Sequence, residues 1–277
     1  MTSPSYARPP GGLPPQTDKL ASAATFTPAY AVIPASVQRD IVTSFLPGWR
    51  ETRFWVLARP LSGFAETFSH YIAELAPGGG TTREEGEEGV QSALFLTHGA
   101  ARLDIGGETH LLTPGSFCYI PPSARWSLTA EGEGDCVFHW HRKRYQPVDG
   151  LDAPAFLHRN EQEITPTPMP SAPEWATTRF VDPADLAFDF HITIVTLQPG
   201  ASIPFLETHV MEHGLYVLEG KGAYRLNADW VEVGPGDYMW LRAFCPQACY
   251  AGGPGPFRYL LYKDVNRHAV LPPVPHL

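Results

Sequence analysis

The sequence predicts an all-β chain built from two tandem antiparallel barrels, and two observations carry that prediction. The first is an internal repeat. Gly79 falls on Gly200, Leu94 on Leu215, Gly99 on Gly220 and Pro114-Gly115 on Pro235-Gly236, a constant offset of 121 residues without gaps from about Gly79 to Arg142. Apolar positions keep step between these anchors, Phe95 with Tyr216 and Tyr119 with Trp240. Such a repeat means two copies of one fold. The second observation is local spacing. Short apolar segments alternate with Gly, Pro, Asn and Asp, as from Gly220 to Trp230, which is the rhythm of a small barrel or jelly roll.

Taken in order, residues 1–24 carry Pro4, Pro9-Pro10-Gly11-Gly12 and Pro14-Pro15 and are expected to be a flexible or wrapping arm. Residues 25–145 form the first barrel, in which Glu84-Glu85-Gly86-Glu87-Glu88 reads as a solvated acidic loop. Residues 146–178, with five prolines between Pro154 and Pro173, are the connection, placed to cap a barrel or to pack in an interface. Residues 179–277 form the second barrel. There His191-Ile192-Thr193-Ile194-Val195-Thr196-Leu197 is β-branched and apolar, and Pro199-Gly200 turns the chain toward Phe205-Leu206-Glu207.

The second barrel carries the chemistry. On one strand, side chains at i, i+2 and i+6 share a face, so Glu207, His209 and His213 are expected to point the same way with Met211 between them. Gln247 follows at a spacing that two hairpins bring back beside them. A helix would also align His209 with His213, but it would leave Glu207 far around its axis. Two imidazoles, a carboxylate and an amide oxygen form an N2O2 set without thiolate, which suits Mn²⁺ or Fe²⁺ better than structural zinc and leaves positions open for a ligand. The repeat offset maps these four residues onto Gly86, Glu88, Ser92 and Trp126, so only the second barrel should hold metal. The rival pair His139 and His141 maps onto Leu260 and Tyr262. If Tyr259, Leu261 and Lys263 face inward, then Trp140 faces into the first barrel and both histidines face out of it.

The same residues resemble a known pattern. Gly200, Glu207, His209, His213 and Gly220, then Gly236, Arg242 where proline is usual and Gln247 where histidine is usual, are similar to the two-part signature of the cupin superfamily. The run from Glu207 to Arg267, with Tyr262-Lys263-Asp264-Val265-Asn266-Arg267 at its end, resembles the (S)-ureidoglycine aminohydrolases. These are bicupins of purine and allantoin breakdown whose bacterial members were described as glyoxylate-induced proteins. The resemblance implies two tandem cupin domains and one Mn²⁺ per chain on Glu207, His209, His213 and Gln247, with Glu207 and Lys263 as catalytic residues. It also implies substrate contacts from Tyr224, Tyr259, Lys263 and Gln247 to a small anionic ureido acid, with ammonia and (S)-ureidoglycolate as products. A different cupin enzyme on a small organic acid, a dioxygenase or an isomerase, is the first alternative, since this fold hosts many chemistries. A non-enzymatic metabolite-binding bicupin is the second.

Composition narrows the setting. The 277 residues are 43% hydrophobic, enough for two cores, and 29 prolines with 25 glycines fit turn-rich β structure. A net charge of −9 without a basic stripe argues against nucleic acid. No apolar run spans a membrane and no leader is evident at the N-terminus, so a cytoplasmic protein is expected; the bicupin resemblance implies a homo-oligomer. Cys118, Cys136, Cys245 and Cys249 read as buried free thiols, although Cys245 and Cys249 flank Gln247.

Overall fold

Strands such as Val90–His98 and Phe190–Leu197 bury nearly every residue, as expected of apolar segments packed on both faces. The computed structural model of the chain describes residues 4–9, 23–38, 45–170, 172–265 and 267. Among the described residues there are β-strands, three short 3-10 turns and no α-helix. Most of the expected arm, Asn266 and the chain from residue 268 lie outside the described residues.

The first barrel is a curled sheet in the order Leu157–Asn160, Ser116–Ile120, Val90–His98, Cys136–Arg144, Phe68–Thr81, Trp126–Glu131, Ala100–Ile105 and Glu108–Leu112, with Trp49–Ala58 also paired to Phe68–Thr81. The second barrel closes a large sheet over a small one. The large sheet runs Thr25–Phe26, Tyr30–Ile33, Tyr238–Leu241, His213–Glu219, Phe257–Asp264, Phe190–Leu197, Ala172–Arg179 and Thr167–Met169; the small one runs Ser202–Glu207, Gln247–Ala251, Gly222–Leu226 and Asp229–Val233.

Strand pairing crosses the divisions expected from sequence. Tyr30–Ile33, within the span expected for the first barrel, pairs instead with Tyr238–Leu241 of the second. Within the connection, Leu157–Asn160 extends the first barrel beside Ser116–Ile120, while Ala172–Arg179 joins the second beside Phe190–Leu197. These exchanges, and Tyr6, whose hydroxyl donates to Glu161 Oε2 at 2.8 Å, tie the two barrels together.

The interior of the first barrel is filled with aromatic side chains. Trp126, in the place of Gln247, packs against Trp49 and Trp140 at ring separations of 6.1 and 5.6 Å, and Phe54 and Phe138 complete the cluster around those two rings. Trp140 points inward, and its Nε1 donates to Ser92, the counterpart of His213, at 3.1 Å. His139 and His141 point the other way, into the seam between barrels, where both are buried rather than solvated. They meet His70 there: His70 Nε2 lies 2.9 Å from His139 Nδ1, and the His70 and His141 rings are 3.8 Å apart. Tyr216, Tyr238 and Tyr262 reach the same seam from the second barrel.

Candidate active site

Alternation along three adjacent strands aims one set of side chains into the second barrel. Tyr259, Leu261 and Lys263 come from Phe257–Asp264, His191, Thr193 and Val195 from Phe190–Leu197, and Trp175, Thr177 and Arg179 from Ala172–Arg179. They line a cavity of about 240 Å³ together with Glu207, His209, His213, Tyr224 and Gln247. All seven residues singled out from the sequence therefore share one cavity. A wider groove of about 590 Å³, lined by Pro28, Trp240, Arg242 and Phe244 among others, contains none of the seven.

The three residues of the Glu207 to His213 motif converge by a route that alternation does not describe. The strand Ser202–Glu207 ends at Glu207 and the next begins at His213, so His209 sits in the loop between them. Within the first strand, Ile203 pairs with Cys249 but Glu207 pairs with Gln247, an irregularity that takes up two extra residues and re-aims Glu207. Met211 does not line the cavity; its carbonyl instead lies 2.9 Å from His213 Nδ1. The expectation of a single strand with Met211 between the histidines is thus corrected. A carbonyl can only accept, so Nδ1 carries the proton and Nε2 keeps its lone pair, the orientation that metal-binding histidines need.

The loop is fixed from both barrels. Glu212 is buried and accepts from the Glu66 and Thr67 amides at 2.6 and 3.1 Å, from Thr67 Oγ1 at 2.6 Å and from Trp240 Nε1 at 2.6 Å. Its own amide donates to Asp264 Oδ1 at 2.6 Å. On the other side, the Phe244 amide donates to the His209 carbonyl at 2.6 Å and ties the loop to the turn before Gln247.

The donor set fits a divalent cation. Glu207 Oε2 and His209 Nε2 are 3.4 Å apart, and the rings of His209 and His213 lie 5.1 Å apart. Burial, followed by the neighbouring His209, lowers the His213 pKa to about 3, which keeps it in the neutral form that binds metal. Gln247 Oε1 accepts from Tyr224 at 3.1 Å and has a second lone pair to offer. Among the described residues no group of three or more His, Cys, Asp or Glu side chains is drawn close enough to hold an ion as it stands; the fourth donor here is an amide, and Glu207 and His209 rest against each other.

Around these donors the polar groups are tuned by desolvation. Burial lowers the Lys263 pKa from the usual lysine value, with Arg179 adding to the effect and Glu207 opposing it. Burial holds Tyr224 and Tyr259 far above the usual phenol range, so both stay neutral donors. It also raises the thiols of Cys245 and Cys249, which keeps them protonated and inert.

The cupin domain model matches residues 71–142 and 193–262, the two repeats. The (S)-ureidoglycine aminohydrolase of Escherichia coli (strain K12) is 32% identical over 228 residues, covering 82% of this chain and 86% of that protein. The chain belongs to this bicupin family. The (S)-ureidoglycine aminohydrolase of Arabidopsis thaliana matches at 32% over 234 residues, 82% of this chain and 74% of that one. A crystal structure from Pseudomonas aeruginosa, described there as a candidate glyoxylate-induced protein, superposes with a TM-score of 0.89 at 56% identity, covering 98% and 99% of the two chains.

Two titratable side chains of the cavity in this family member, Arg179 and His191, were not singled out from the sequence. His191 was within reach, because its strand was recognised and Lys263 lies directly opposite it. Arg179 follows a proline-rich stretch taken for a connection, and nothing in that stretch signalled a strand inside the barrel.

Proposed function

We propose that the chain is a manganese-dependent (S)-ureidoglycine aminohydrolase that releases ammonia and yields (S)-ureidoglycolate. The observation that carries this reading is the convergence of Glu207, His209, His213, Gln247, Tyr224, Tyr259 and Lys263 on one small cavity, in a chain that spans most of relatives bearing that name. Glu207, His209, His213 and Gln247 would hold the cation. When bound, it would supply a Lewis acid and a template for an anionic substrate.

The chain's own residues account for the rest of the reaction. Replacing the α-amine by hydroxyl breaks one C–N bond and forms one C–O bond at the same carbon; the leaving nitrogen takes up a proton and the incoming water gives one up. Lys263, half-buried with a lowered pKa, is suited to carry that proton, because transfer is fastest when the carrier's pKa lies near the working pH. Glu207, beside His209 Nε2, sets the charge of the donor set. Tyr224 and Tyr259, held neutral and with rings 6.0 Å apart, offer hydroxyls to the ureido group. The walls of Trp175, Val195, Ile203 and Leu261 keep water away from the reacting carbon.

Product identity tests the reading. Proton NMR of freshly generated (S)-ureidoglycine with Mn²⁺-supplemented protein should show (S)-ureidoglycolate and ammonia in equal amounts, above spontaneous decay. Oxygen consumption, or isomerisation of a different acid with no ammonia, would move the site to another cupin chemistry.

A further inference from the structure

The register of the cavity wall arranges its chemistry in rows. Lys263 lies opposite His213 on one side and His191 on the other. In the next row Leu261 is opposite Thr193, and Thr193 is opposite Arg179; beyond it Tyr259, Val195 and Thr177 align. Arg179 and His191 are therefore diagonal cross-strand neighbours, a separation of roughly 7–8 Å that a long side chain covers. Neither has a task in the reaction above.

Both have unspent hydrogen-bonding capacity. Arg179 Nε donates to Thr177 Oγ1 at 2.9 Å, and among the described residues no carboxylate comes within ion-pair distance of its guanidinium or of Lys263 Nζ. Asp182 and Asp185, which lie near His191, are exposed and accept the Ala184 and Ala187 amides at 2.8 and 3.0 Å. His191 is only 4% exposed, and its Nε2 has no partner. A buried ring nitrogen left without a partner is costly and uncommon, and His191 lines the cavity, where a ligand would supply one. An arginine fork without a carboxylate, beside such a histidine, matches an incoming carboxylate.

We propose that Arg179 and His191 form the carboxylate subsite of this cavity, with Arg179 setting the preference for small monocarboxylates over neutral analogues. The subsite rests on the ureido-acid reading for its choice of substrate, and on the cavity wall for its position. The carboxylate takes the guanidinium with one or both oxygens and Nε2–H of His191 from the side. Lys263, one row away, is then left at the α-carbon for proton transfer rather than spent as a charge partner. Neutral ureas lose this contact and retain only the tyrosine hydroxyls.

The test uses the full chain with Mn²⁺ and two probes, N-carbamoylglycine and its carboxamide, by calorimetry. Wild-type protein is expected to bind the acid at least about tenfold more tightly than the amide, the effect of one charge-assisted contact. Arg179→Gln should raise the Kd of the acid roughly 10- to 100-fold, abolish the preference and leave both amide and Mn²⁺ affinity in place; Arg179→Lys should fall between, since it keeps charge but not the fork. His191→Gln, which can still donate, should lose less than His191→Leu. An undiminished acid preference in Arg179→Gln would overturn the subsite, as would wild-type protein that turns over (S)-ureidoglycine without preferring the acid. Wild-type protein that neither binds the acid nor turns over (S)-ureidoglycine would overturn the subsite and the ureido-acid reading together.

Discussion

Acidification from pH 7 to pH 5 should loosen the seam between the barrels, by an amount set by its histidines. His70, His139 and His141 are each at most 1% exposed. Burial, then His141 and His139, holds His70 well below its usual range; burial, then His139, does the same for His141. Burial, then His98, lowers His139 from 6.5 to about 3. In the unfolded chain these groups take up protons near pH 6.5, so below that pH the unfolded state binds more protons than the folded one. Their contribution is complete above pH 6.5 and is lost as pH falls toward about 3. For His139 alone the loss between pH 7 and pH 5 is ~2 kcal/mol, and His70 and His141 act in the same direction. Asp264 works in the opposite sense. Burial raises it to about 6, so its protonation offsets ~1 kcal/mol over the same interval. Urea unfolding of metal-stripped protein at pH 7, 6 and 5, followed by tryptophan fluorescence, measures the sum. A His139→Gln, His141→Gln double variant isolates the seam, because Asp264, His191 and His213 are common to both proteins. It should lose less stability on acidification than the wild type. Equal pH slopes for the two proteins would refute the burial reasoning.

Three further outcomes follow from the site. Lys263→Met should abolish turnover while Mn²⁺ stays bound, checked by ammonia release beside a metal titration; full activity would remove Lys263 from proton transfer. His213→Ala removes one of four donors and should weaken Mn²⁺ binding by a factor of at least about 100, read by competition with a fluorescent chelator. Glu212→Ala strips the partner from two amides, a hydroxyl and an indole, and should cost ~2–4 kcal/mol in urea unfolding. It should also lower Mn²⁺ affinity, because His213 is the next residue.

Much of the fold was legible because the repeat preserves turn chemistry. Gly99 and Gly220 have φ of 69° and 76°, and a Cβ on either would run into the carbonyl oxygen of the residue just before a facing strand, Asp135 or Pro256. Such positions keep glycine in both copies whatever the barrel holds, and the offset follows from them. The inward register of Tyr259 and Lys263 was equally readable, since strand alternation has no exceptions without a bulge. The path of the Glu207 to His213 segment was not. Its turn depends on Glu212 meeting Glu66, Thr67 and Trp240, partners 28 to 146 residues away, and no local pattern encodes them. The exchange of Tyr30–Ile33 into the second barrel was hidden for the same reason, because pairing with Tyr238–Leu241 is decided by tertiary packing. Arg179 was missed because proline-rich composition obscured a strand.

Ammonia release from freshly generated (S)-ureidoglycine by metal-stripped protein, with and without added Mn²⁺ and corrected for spontaneous decay, tests the central claim most directly. Release that appears with Mn²⁺, and is lost when any of Glu207, His209, His213 or Gln247 is replaced by alanine, is the expected result. Release at the background rate from protein with Mn²⁺ demonstrably bound would contradict it.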